Sequence, residues 1–309
     1  MKYVYGPVPS RRLGNSLGID PIPSKTCNYQ CIYCQLGKTT NFTNERRNYC
    51  PKQGIIVEMK QALENSESEI DYITFVGSGE PTLYKDLEDL VLAARKYSHK
   101  PTCVITNGAL LYDPEVRKPL KSVNVVLPSF DAGDEKMFIR INRPHPSIKF
   151  EKVVQGFIDF RKNYEGEFRV EIMVLRGIND SKEELIKIKN NLDLIQPDII
   201  DINVPIRPPV EKWVKIPDKS VIATLNEVFG HYSDINFPEF GSFKIYSSDF
   251  EKELLNIIER HPMRQDQIIN TFFSHCYSKD VILSQLEKLE SEKIIKKEIY
   301  NQKIFWKTF

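Results

Sequence analysis

Short apolar segments alternate with helical patterns along this sequence up to about residue 240. Six segments rich in Val, Ile or Phe predict strands over 17–22, 72–76, 103–106, 123–127, 168–175 and 199–204. Between them, apolar residues at helical spacing predict helices over 55–65, 87–97, 149–163 and 182–195. Strands that are joined by helices run parallel, so the pattern predicts an α/β protein with either a barrel or a doubly wound sheet.

The pattern changes near residue 245. Ser248 and Glu251 have the spacing of a capping box and predict the start of a helix. Two further helical patterns follow, one over 265–272 and one from 278 onward. Two alternating segments, over 294–299 and 303–307, then predict strands joined by a turn at 300–302. Three helices and a terminal hairpin are typical of a winged-helix domain, a variant of the helix-turn-helix. The sequence therefore predicts a barrel over 1–245 and a winged-helix domain over 246–309.

Composition narrows the class of protein further. With 309 residues the chain is long enough to bury a large core, which excludes a mini-protein held together by disulfides. Lys and Arg total 43 and Asp and Glu total 42, so no global field favours a nucleic-acid or membrane partner. No apolar run approaches the roughly 18 residues that span a bilayer, and the first residues lack the apolar core of a secretory signal. We therefore expect a cytoplasmic protein without a membrane partner.

Three of the six cysteines, Cys27, Cys31 and Cys34, form a C-x3-C-x2-C pattern in a loop after the first predicted strand. Soft thiolate ligands select iron–sulfur clusters or zinc. Three thiolates on one loop suit three irons of a [4Fe–4S] cluster and leave the fourth iron open to a substrate or cofactor. The alternative is a zinc site completed by a remote histidine, because no histidine lies near the trio in the sequence.

The other three cysteines are scattered along the chain and are predicted to be free thiols. Cys103 opens a predicted apolar strand and is expected in the core, whereas Cys276 lies in the predicted C-terminal domain. Cys50 is near enough in sequence to the trio for an auxiliary role at the same site.

The cysteine pattern, with Tyr33 directly before its last member, resembles the signature of the radical S-adenosylmethionine (radical SAM) enzymes. The resemblance implies a [4Fe–4S] cluster on Cys27, Cys31 and Cys34, whose open iron is chelated by the amino and carboxylate groups of S-adenosylmethionine (SAM). It implies that the reduced cluster cleaves SAM to methionine and a 5′-deoxyadenosyl radical, which takes a hydrogen from a substrate. Such an enzyme needs an external electron donor of the ferredoxin or flavodoxin type. The family fold agrees with the six predicted strands and implies a partial (β/α)6 barrel.

A second motif, which we call the glycine motif, follows the predicted strand 72–76 and is similar to the Gly-Gly-Glu-Pro segment of the same family. Its residues are Gly77, Ser78, Gly79, Glu80 and Pro81. Glycines permit close approach of the backbone to a ligand, and a carboxylate accepts hydrogen bonds from an ammonium group. The resemblance implies that the motif binds the methionine amino group of SAM. Taken alone, the pattern also fits a strand-to-helix turn with a capping carboxylate.

Polar residues also follow the other predicted strands, and in barrel enzymes these strand ends build the ligand site. Thr106 and Asn107 are therefore candidates for contacts with the ribose or the carboxylate of SAM. By resemblance, the region of Ser129 and Asp131 meets the ribose or carboxylate, and the region of Leu175 meets the adenine. For each residue, a turn that satisfies only local backbone groups is the alternative.

Arg207 stands in a Pro-rich turn after the sixth predicted strand and is predicted to bind an anionic substrate or the SAM carboxylate. Its segment, together with 5–14, 35–40 and 141–145, resembles a subgroup related to the wybutosine-synthesis enzymes, which remodel a modified guanosine in tRNA. Archaeal members of that group carry upstream cysteines for a second cluster. This sequence has no cysteine before Cys27, so their chemistry is not carried over.

Arginine binds phosphate through two parallel hydrogen bonds, and several arginines could frame a phosphate-rich substrate. The candidates are Arg11, Arg12, Arg46, Arg47 and Arg143. Solvated surface positions are the alternative for each of them.

The predicted C-terminal domain carries ten Lys and Arg and ten Asp and Glu, so it has no net charge. Its terminal hairpin, residues 293–309, carries five Lys and one Glu with aromatic residues interleaved. Such a hairpin can hold a nucleic-acid backbone, whereas Glu287, Glu290 and Glu292 on the preceding helix would repel phosphates in a groove. We therefore predict that this domain docks an RNA or protein substrate, with a plain packing module as the alternative.

These patterns together predict a radical SAM enzyme that modifies a macromolecule, tRNA or protein, presented by the C-terminal domain. The first alternative is a regulatory protein that binds nucleic acid and uses its cluster as a redox sensor. The second is a structural protein stabilised by zinc.

Overall fold

The computed structural model describes residues 1–230, 243–273, 275 and 277–309. The strands of this part of the chain are β1 (Val4–Ser10), β2 (Gly14–Ile19), β3 (Thr26–Cys27), β4 (Asn41–Phe42), β5 (Tyr72–Phe75), β6 (Thr102–Thr106), β7 (Val125–Pro128), β8 (Glu167–Met173), β9 (Ile199–Asn203), β10 (Met263–Arg264), β11 (Ile295–Tyr300) and β12 (Lys303–Thr308). The helices are α1 (Lys52–Ser66), α2 (Leu87–Tyr97), α3 (Pro114–Leu120), α4 (Glu135–Asn142), α5 (Phe150–Arg161), α6 (Lys182–Ile195), α7 (Val221–Phe229), α8 (Phe250–Ile258), α9 (Gln265–Phe273) and α10 (Lys279–Ser291).

The main sheet has the strand order β1-β2-β5-β6-β7-β8-β9. Strand β2 and strands β5 to β9 run parallel, and β1 pairs antiparallel with β2. Connections between neighbouring parallel strands are right-handed. A strand order that never reverses direction therefore puts all the connecting helices on one face of the sheet. This arrangement is a partial (β/α) barrel, so the predicted fold class is confirmed and the doubly wound alternative is wrong.

All six predicted strands and all four predicted barrel helices are present, with ends shifted by at most three residues. The sequence patterns miss α3, α4 and α7, which have seven, eight and nine residues. Helices α3 and α4 repeat their apolar spacing too few times to be distinguished from a turn, whereas α7 is as long as α8 and α9, which the patterns do predict. None of the helices in the described part of the chain has the length and apolar character that a bilayer span requires.

Strand β1 is also missing from the sequence-based prediction. Pro7 and Pro9 interrupt its alternation, and proline lacks the N–H group that a strand in the middle of a sheet must donate. The strand tolerates both because it lies at the edge of the sheet. Its buried residues Tyr5 and Val8 do not join the barrel core and instead belong to the core of the C-terminal helices.

The C-terminal region combines α8, α9 and α10 with an antiparallel sheet in the order β10-β12-β11. The turn of its hairpin is Asn301–Gln302, with positive φ at both residues, one residue shorter than expected. Helix α8 begins after Asp249, whose side chain accepts a hydrogen bond from Lys252 N at 3.1 Å. The predicted cap at Ser248 is therefore wrong by one residue, because Asp249 is an equally good N-cap and satisfies the free N–H group.

Gly18 offers a test of how tightly β1 joins the barrel to the C-terminal region. A Cβ atom at Gly18 would lie 2.3 Å from Cε1 and Cζ of Tyr5, whose ring is held by the C-terminal core. We expect Gly18→Ala to lower the free energy of unfolding by about 1–3 kcal/mol through overpacking. Urea titration followed by circular dichroism measures this loss.

The control is Leu194→Ala on the outer face of α6, where the side chain is 66% exposed. This variant should stay within about 0.5 kcal/mol of the parent. Equal unfolding midpoints for Gly18→Ala and the parent protein would show that Tyr5 is free to move.

Candidate active site

A cavity of about 340 Å³ opens at the carboxyl ends of the parallel strands and extends into the barrel. Its volume is in the range of small-molecule and cofactor sites, about 300–1,000 Å³. Nine predicted site residues line it, namely Cys27, Cys34, Gly77, Gly79, Glu80, Thr106, Asn107, Ser129 and Arg207. The other five lie outside its described lining and are Cys31, Ser78, Pro81, Asp131 and Leu175.

Hydrogen-bond donors point at the sulfur atoms of the cysteine loop. Cys27 Sγ accepts from Tyr29 N at 3.4 Å and from Asn107 Nδ2 at 3.7 Å. Cys31 Sγ accepts from Asn142 Nδ2 at 3.6 Å. Thiolates that ligate iron are stabilised by such N–H groups, whereas a neutral thiol is a weak acceptor. Asn107 Nδ2 also donates to Asn28 Oδ1 at 2.6 Å, so this lining residue is held beside the cysteine loop by two contacts.

The chemistry of this donor set fits an iron–sulfur cluster. Burial raises the pKa of Cys27 to about 12 and also raises the pKa of Cys31 and Cys34 in the metal-free chain. Backbone N–H groups of Leu36 and Gly37 act in the opposite direction on Cys34. A buried thiolate needs a cation beside it, and metal binding releases the proton that burial otherwise retains. Three such thiols on one loop beside a ligand-sized cavity can supply ligands for three irons of a [4Fe–4S] cluster.

The described residues do not form a site for a single zinc ion. No three His, Cys, Asp or Glu side chains of this part of the chain converge closely enough to hold a single metal ion. His261 is the histidine that the fold brings into the lining shared by Cys27 and Cys34. It already lies 2.7 Å from Arg207, measured from Nε2 to Nη2.

Backbone hydrogen bonds hold the glycine motif against the cysteine loop. Lys25 N donates to Ser78 O at 2.5 Å, and Glu80 N donates to Thr26 O at 3.0 Å. The two bonds join segments that are more than fifty residues apart in the sequence. Any ligand that contacts both segments therefore meets one rigid surface.

The two glycines of the motif lie in close contact with other parts of the protein. A Cβ atom at Gly77 would lie 2.0 Å from Oδ1 of Asp20, and one at Gly79 would lie 2.0 Å from Thr26 O. The space that a side chain would need is thus filled by the protein itself. Both glycines therefore allow close packing against neighbouring protein atoms, while they also line the cavity, and their contact with a ligand stays a prediction.

Glu80 is 2% exposed and accepts four hydrogen bonds. Its Oε1 accepts from Thr82 N at 2.9 Å and from the hydroxyls of Thr82 and Thr106, both at 2.6 Å. Its Oε2 accepts from Asn107 N at 2.7 Å. Burial raises the pKa of Glu80, and these donors oppose that rise because they stabilise the ionised form. The carboxylate ties the end of β5 to the end of β6, and Oε2 still has capacity for an ammonium group in the cavity.

Asp131 and Leu175 lie behind the wall of the cavity. Asp131 Oδ2 accepts from Tyr33 OH at 2.6 Å and from Asn142 Nδ2 at 2.8 Å, and Oδ1 accepts from Met173 N at 2.9 Å. Leu175 is fully buried in the barrel core. In this structure Asp131 holds Tyr33 of the cysteine loop in place, and its contact with SAM stays a prediction.

The interior of the cavity is rich in arginine. Arg12 forms an ion pair with Glu171, and the same carboxylate accepts from Asn203 Nδ2 at 3.1 Å. Burial lowers the pKa of Arg12 to about 10, and its Nε finds no hydrogen-bond partner among the described residues. Arg11 and Arg207 line the same space. With Arg260 of the C-terminal region, four guanidinium groups line one cavity and favour a ligand that carries carboxylate or phosphate.

The remaining arginine candidates lie outside the described lining of this cavity. Arg46 Nε donates to a backbone carbonyl at 3.1 Å, Arg47 stacks on a tyrosine ring, and Arg143 pairs with Glu211 at 2.5 Å. Among the other cysteines, Cys103 is buried in the core as expected and Cys50 is half-buried beside a different cavity. Cys276 lies outside the described residues.

Sequence reasoning missed three residues at this site. Asn142 belongs to the segment 141–145 that carried the subgroup resemblance, so a signal for it was present. Arg260 and His261 come from the C-terminal region and line the cavity beside Arg207. Because 54 residues separate Arg207 from His261, no sequence spacing connects them.

Comparison with known proteins agrees with this geometry. The family model "Radical SAM superfamily" matches residues 22–188. The chain is 39% identical to the UPF0026 protein MJ1312 of Methanocaldococcus jannaschii, over 99% of this chain and 96% of that protein. It is also 50% identical to a protein of Brachyspira hyodysenteriae named GTPase Obg, over 65% of this chain and only 29% of that protein's length.

Among solved structures, SuiB of Streptococcus suis bound to its precursor peptide SuiA matches with a TM-score of 0.51 at 18% identity. The match covers 68% of this chain and 44% of SuiB, so it shows likeness of the fold. A second structure of SuiB, with a TM-score of 0.50, is bound to SAM.

Fold, cysteine loop and family match together define the class of protein, an enzyme that uses a [4Fe–4S] cluster and SAM as cofactors. The chain belongs to the radical SAM superfamily and, within it, to the UPF0026 proteins.

Glu80 allows the structural role of the glycine motif to be measured. In Glu80→Gln one carboxylate oxygen becomes an NH2 group, which cannot accept from the hydroxyls or backbone N–H groups around it. We expect a loss of about 1–3 kcal/mol in the free energy of unfolding, because buried donors lose their acceptor. Chemical denaturation of the metal-free protein measures it.

The matched control is Glu64→Gln on α1, where the Glu64 side chain is 62% exposed and pairs loosely with Lys60. This change should be within about 0.5 kcal/mol of the parent. If both variants unfold at the same denaturant concentration, Glu80 does not hold the two strand ends together.

Proposed function

We propose that Cys27, Cys31 and Cys34 bind the [4Fe–4S] cluster and that the cavity beside them binds SAM. One observation carries the proposal, namely that N–H donors face these thiols where the glycine motif is bonded to the same loop. When bound and reduced, the cluster would supply one electron for cleavage of the SAM sulfonium into methionine and a 5′-deoxyadenosyl radical. The chain's own groups hold the ligands in place and keep the cavity walls rigid.

The cavity offers complementary groups for the ends of SAM. Glu80 Oε2 and the backbone of the glycine motif present acceptors for its ammonium group, and Arg207 presents a donor for a carboxylate. Ser129 lines the wall after β7 and is proposed to contact the ribose. Asn107 acts on Cys27 through its amide, and Thr106 acts on Glu80 through its hydroxyl.

Anaerobic reconstitution with iron and sulfide tests the assignment. The parent protein should take up about four irons, show the absorption of a [4Fe–4S] cluster and form 5′-deoxyadenosine from SAM and a reductant. Alanine at Cys27, Cys31 or Cys34 should reduce bound iron and 5′-deoxyadenosine at least tenfold, because a three-thiolate shell cannot lose a member.

Cys50→Ser is the matched control, since Cys50 is half-buried near the site but outside its described lining, and this variant should keep its iron. Equal iron uptake by Cys27→Ala and Cys50→Ser would refute the ligand assignment. Zinc in place of iron would support the structural alternative. Selective nucleic-acid binding without SAM cleavage would support the regulator.

We further propose that the substrate is a macromolecule, tRNA or protein, and that residues 246–309 form a winged-helix domain that presents it. Two observations support this proposal. Tyr300 OH in the terminal hairpin donates to Pro205 O at 2.7 Å, next to Arg207 at the rim of the cavity. The hairpin carries exposed lysines, including Lys297 and Lys303. An electron donor of the ferredoxin or flavodoxin type is proposed to supply the reductant that radical SAM enzymes need.

Substitution of the hairpin lysines tests substrate docking. We expect Lys297→Ala combined with Lys303→Ala to weaken capture of the substrate about tenfold, while iron content and SAM cleavage stay unchanged. Capture is measured by crosslinking to the reconstituted enzyme in cell extract, followed by nuclease or protease digestion to identify the class of macromolecule.

The exposed pair Lys60→Ala and Lys118→Ala, on α1 and α3, is the control for loss of two positive charges. If both double variants capture the same crosslinked material, the hairpin is not the docking surface.

A further inference from the structure

Arg260 lies directly after α8, and its guanidinium reaches into the barrel. Its Nε donates to Asp20 Oδ2 at 2.7 Å, and its Nη2 donates to Lys2 O at 2.5 Å. Its Nη1 donates to Asn256 O and Oδ1 at 3.0 and 3.1 Å, and the group stacks over the Tyr5 ring. The Arg260 and Asp20 side chains are only 8% and 1% exposed, so each buried charge depends on the other.

Asp20 connects this ion pair to the glycine motif. Its Oδ2, the atom that receives Arg260, also accepts from Ser78 N at 3.2 Å and from Ser78 Oγ at 2.5 Å. Its Oδ1 lies against Gly77, where a Cβ atom would be 2.0 Å away. Arg260 and the glycine motif therefore share one carboxylate, and movement of either partner changes the position of that carboxylate.

The next residue makes a second contact with the site. His261 Nε2 lies 2.7 Å from Arg207 Nη2, and Arg207 Nη1 donates to Gln35 Oε1 at 2.8 Å. Gln35 directly follows Cys34 of the cysteine loop. Consecutive residues of the C-terminal region thus contact both the glycine motif, through Asp20, and the cysteine loop, through Arg207.

We propose that Arg260 is a positioning residue for SAM, acting through Asp20 and Ser78 on the glycine motif. Docking of the C-terminal region and binding of SAM then stabilise one another. The inference rests on the proposed role of the glycine motif in SAM binding. Because coupling between two sites is reciprocal, SAM must strengthen docking by the same factor by which docking strengthens SAM binding.

This coupling gives the C-terminal region a function that a packing module lacks. A macromolecule that seats this region more firmly on the barrel raises the affinity for SAM. A macromolecule that pulls it away lowers that affinity. SAM binding would then respond to the presence of substrate, which limits cleavage of SAM in the absence of a hydrogen donor.

The first experiment measures the dissociation constant of SAM by anaerobic equilibrium dialysis with the reconstituted full chain. Arg260→Gln should weaken SAM binding about tenfold, within the range of typical coupling between sites. Arg260→Lys should recover part of the loss, because lysine keeps the charge but its compact ammonium group cannot reach all the acceptors that the planar guanidinium spans. Iron content and melting temperature are recorded for each variant.

The matched control is Arg264→Gln in the same region. Arg264 is similarly buried and pairs at 3.0 Å with Asp266, which belongs to the same C-terminal region. This variant loses an ion pair within the region and should bind SAM as the parent does. If Arg260→Gln binds SAM within twofold of Arg264→Gln, the positioning role is refuted.

A second measurement uses the unaltered protein and does not depend on the folding of a variant. Hydrogen exchange of α8 is recorded with and without SAM. The proposal expects α8 to exchange more slowly when SAM is bound, and unchanged exchange in α8 refutes it. If the reconstituted parent protein binds a cluster but no SAM, both the proposed role of the glycine motif and the coupling that rests on it are refuted. SAM binding that is insensitive to Arg260 overturns the coupling alone.

Discussion

The buried carboxylate of Glu80 is the interaction on which the site depends. A carboxylate in the protein interior is costly unless its oxygens are hydrogen-bonded, and here four donors satisfy them. These donors come from the turn after β5 and from the end of β6, so satisfying Glu80 also sets the distance between two strand ends. The neighbouring Glu80 N–H donates to Thr26 O, which extends the same constraint to the cysteine loop.

A second buried carboxylate, that of Asp131, holds the opposite side of the cysteine loop. It binds Tyr33 OH and the amide of Asn142, and that amide also points at Cys31. The cysteine loop has little regular structure of its own but is held at Thr26 by the backbone of Glu80 and at Tyr33 by the side chain of Asp131. These contacts determine where the loop places its three thiols.

Much of the fold can be predicted from the sequence, because the alternation of residues in strands and the apolar spacing in helices are local patterns. The barrel strands and longer helices follow directly from them, whereas β1 was missed since prolines hide its alternation. At the site, nine of fourteen predicted residues line the cavity. Asp131 follows a predicted strand and Leu175 is expected at the site by resemblance, and both lie outside the described lining, because backbone direction alone does not tell which way a side chain points.

The sequence by itself determined the class of chemistry, because the spacing of Cys27, Cys31 and Cys34 and the glycine motif are short-range patterns. Only the tertiary structure showed what the motif's glycines are for, since Asp20 and Thr26 fill the space beside them. The structure likewise decided that Arg260 and His261 belong to the site. Contacts between residues so far apart leave no spacing in the sequence, because folding rather than chain geometry brings them together.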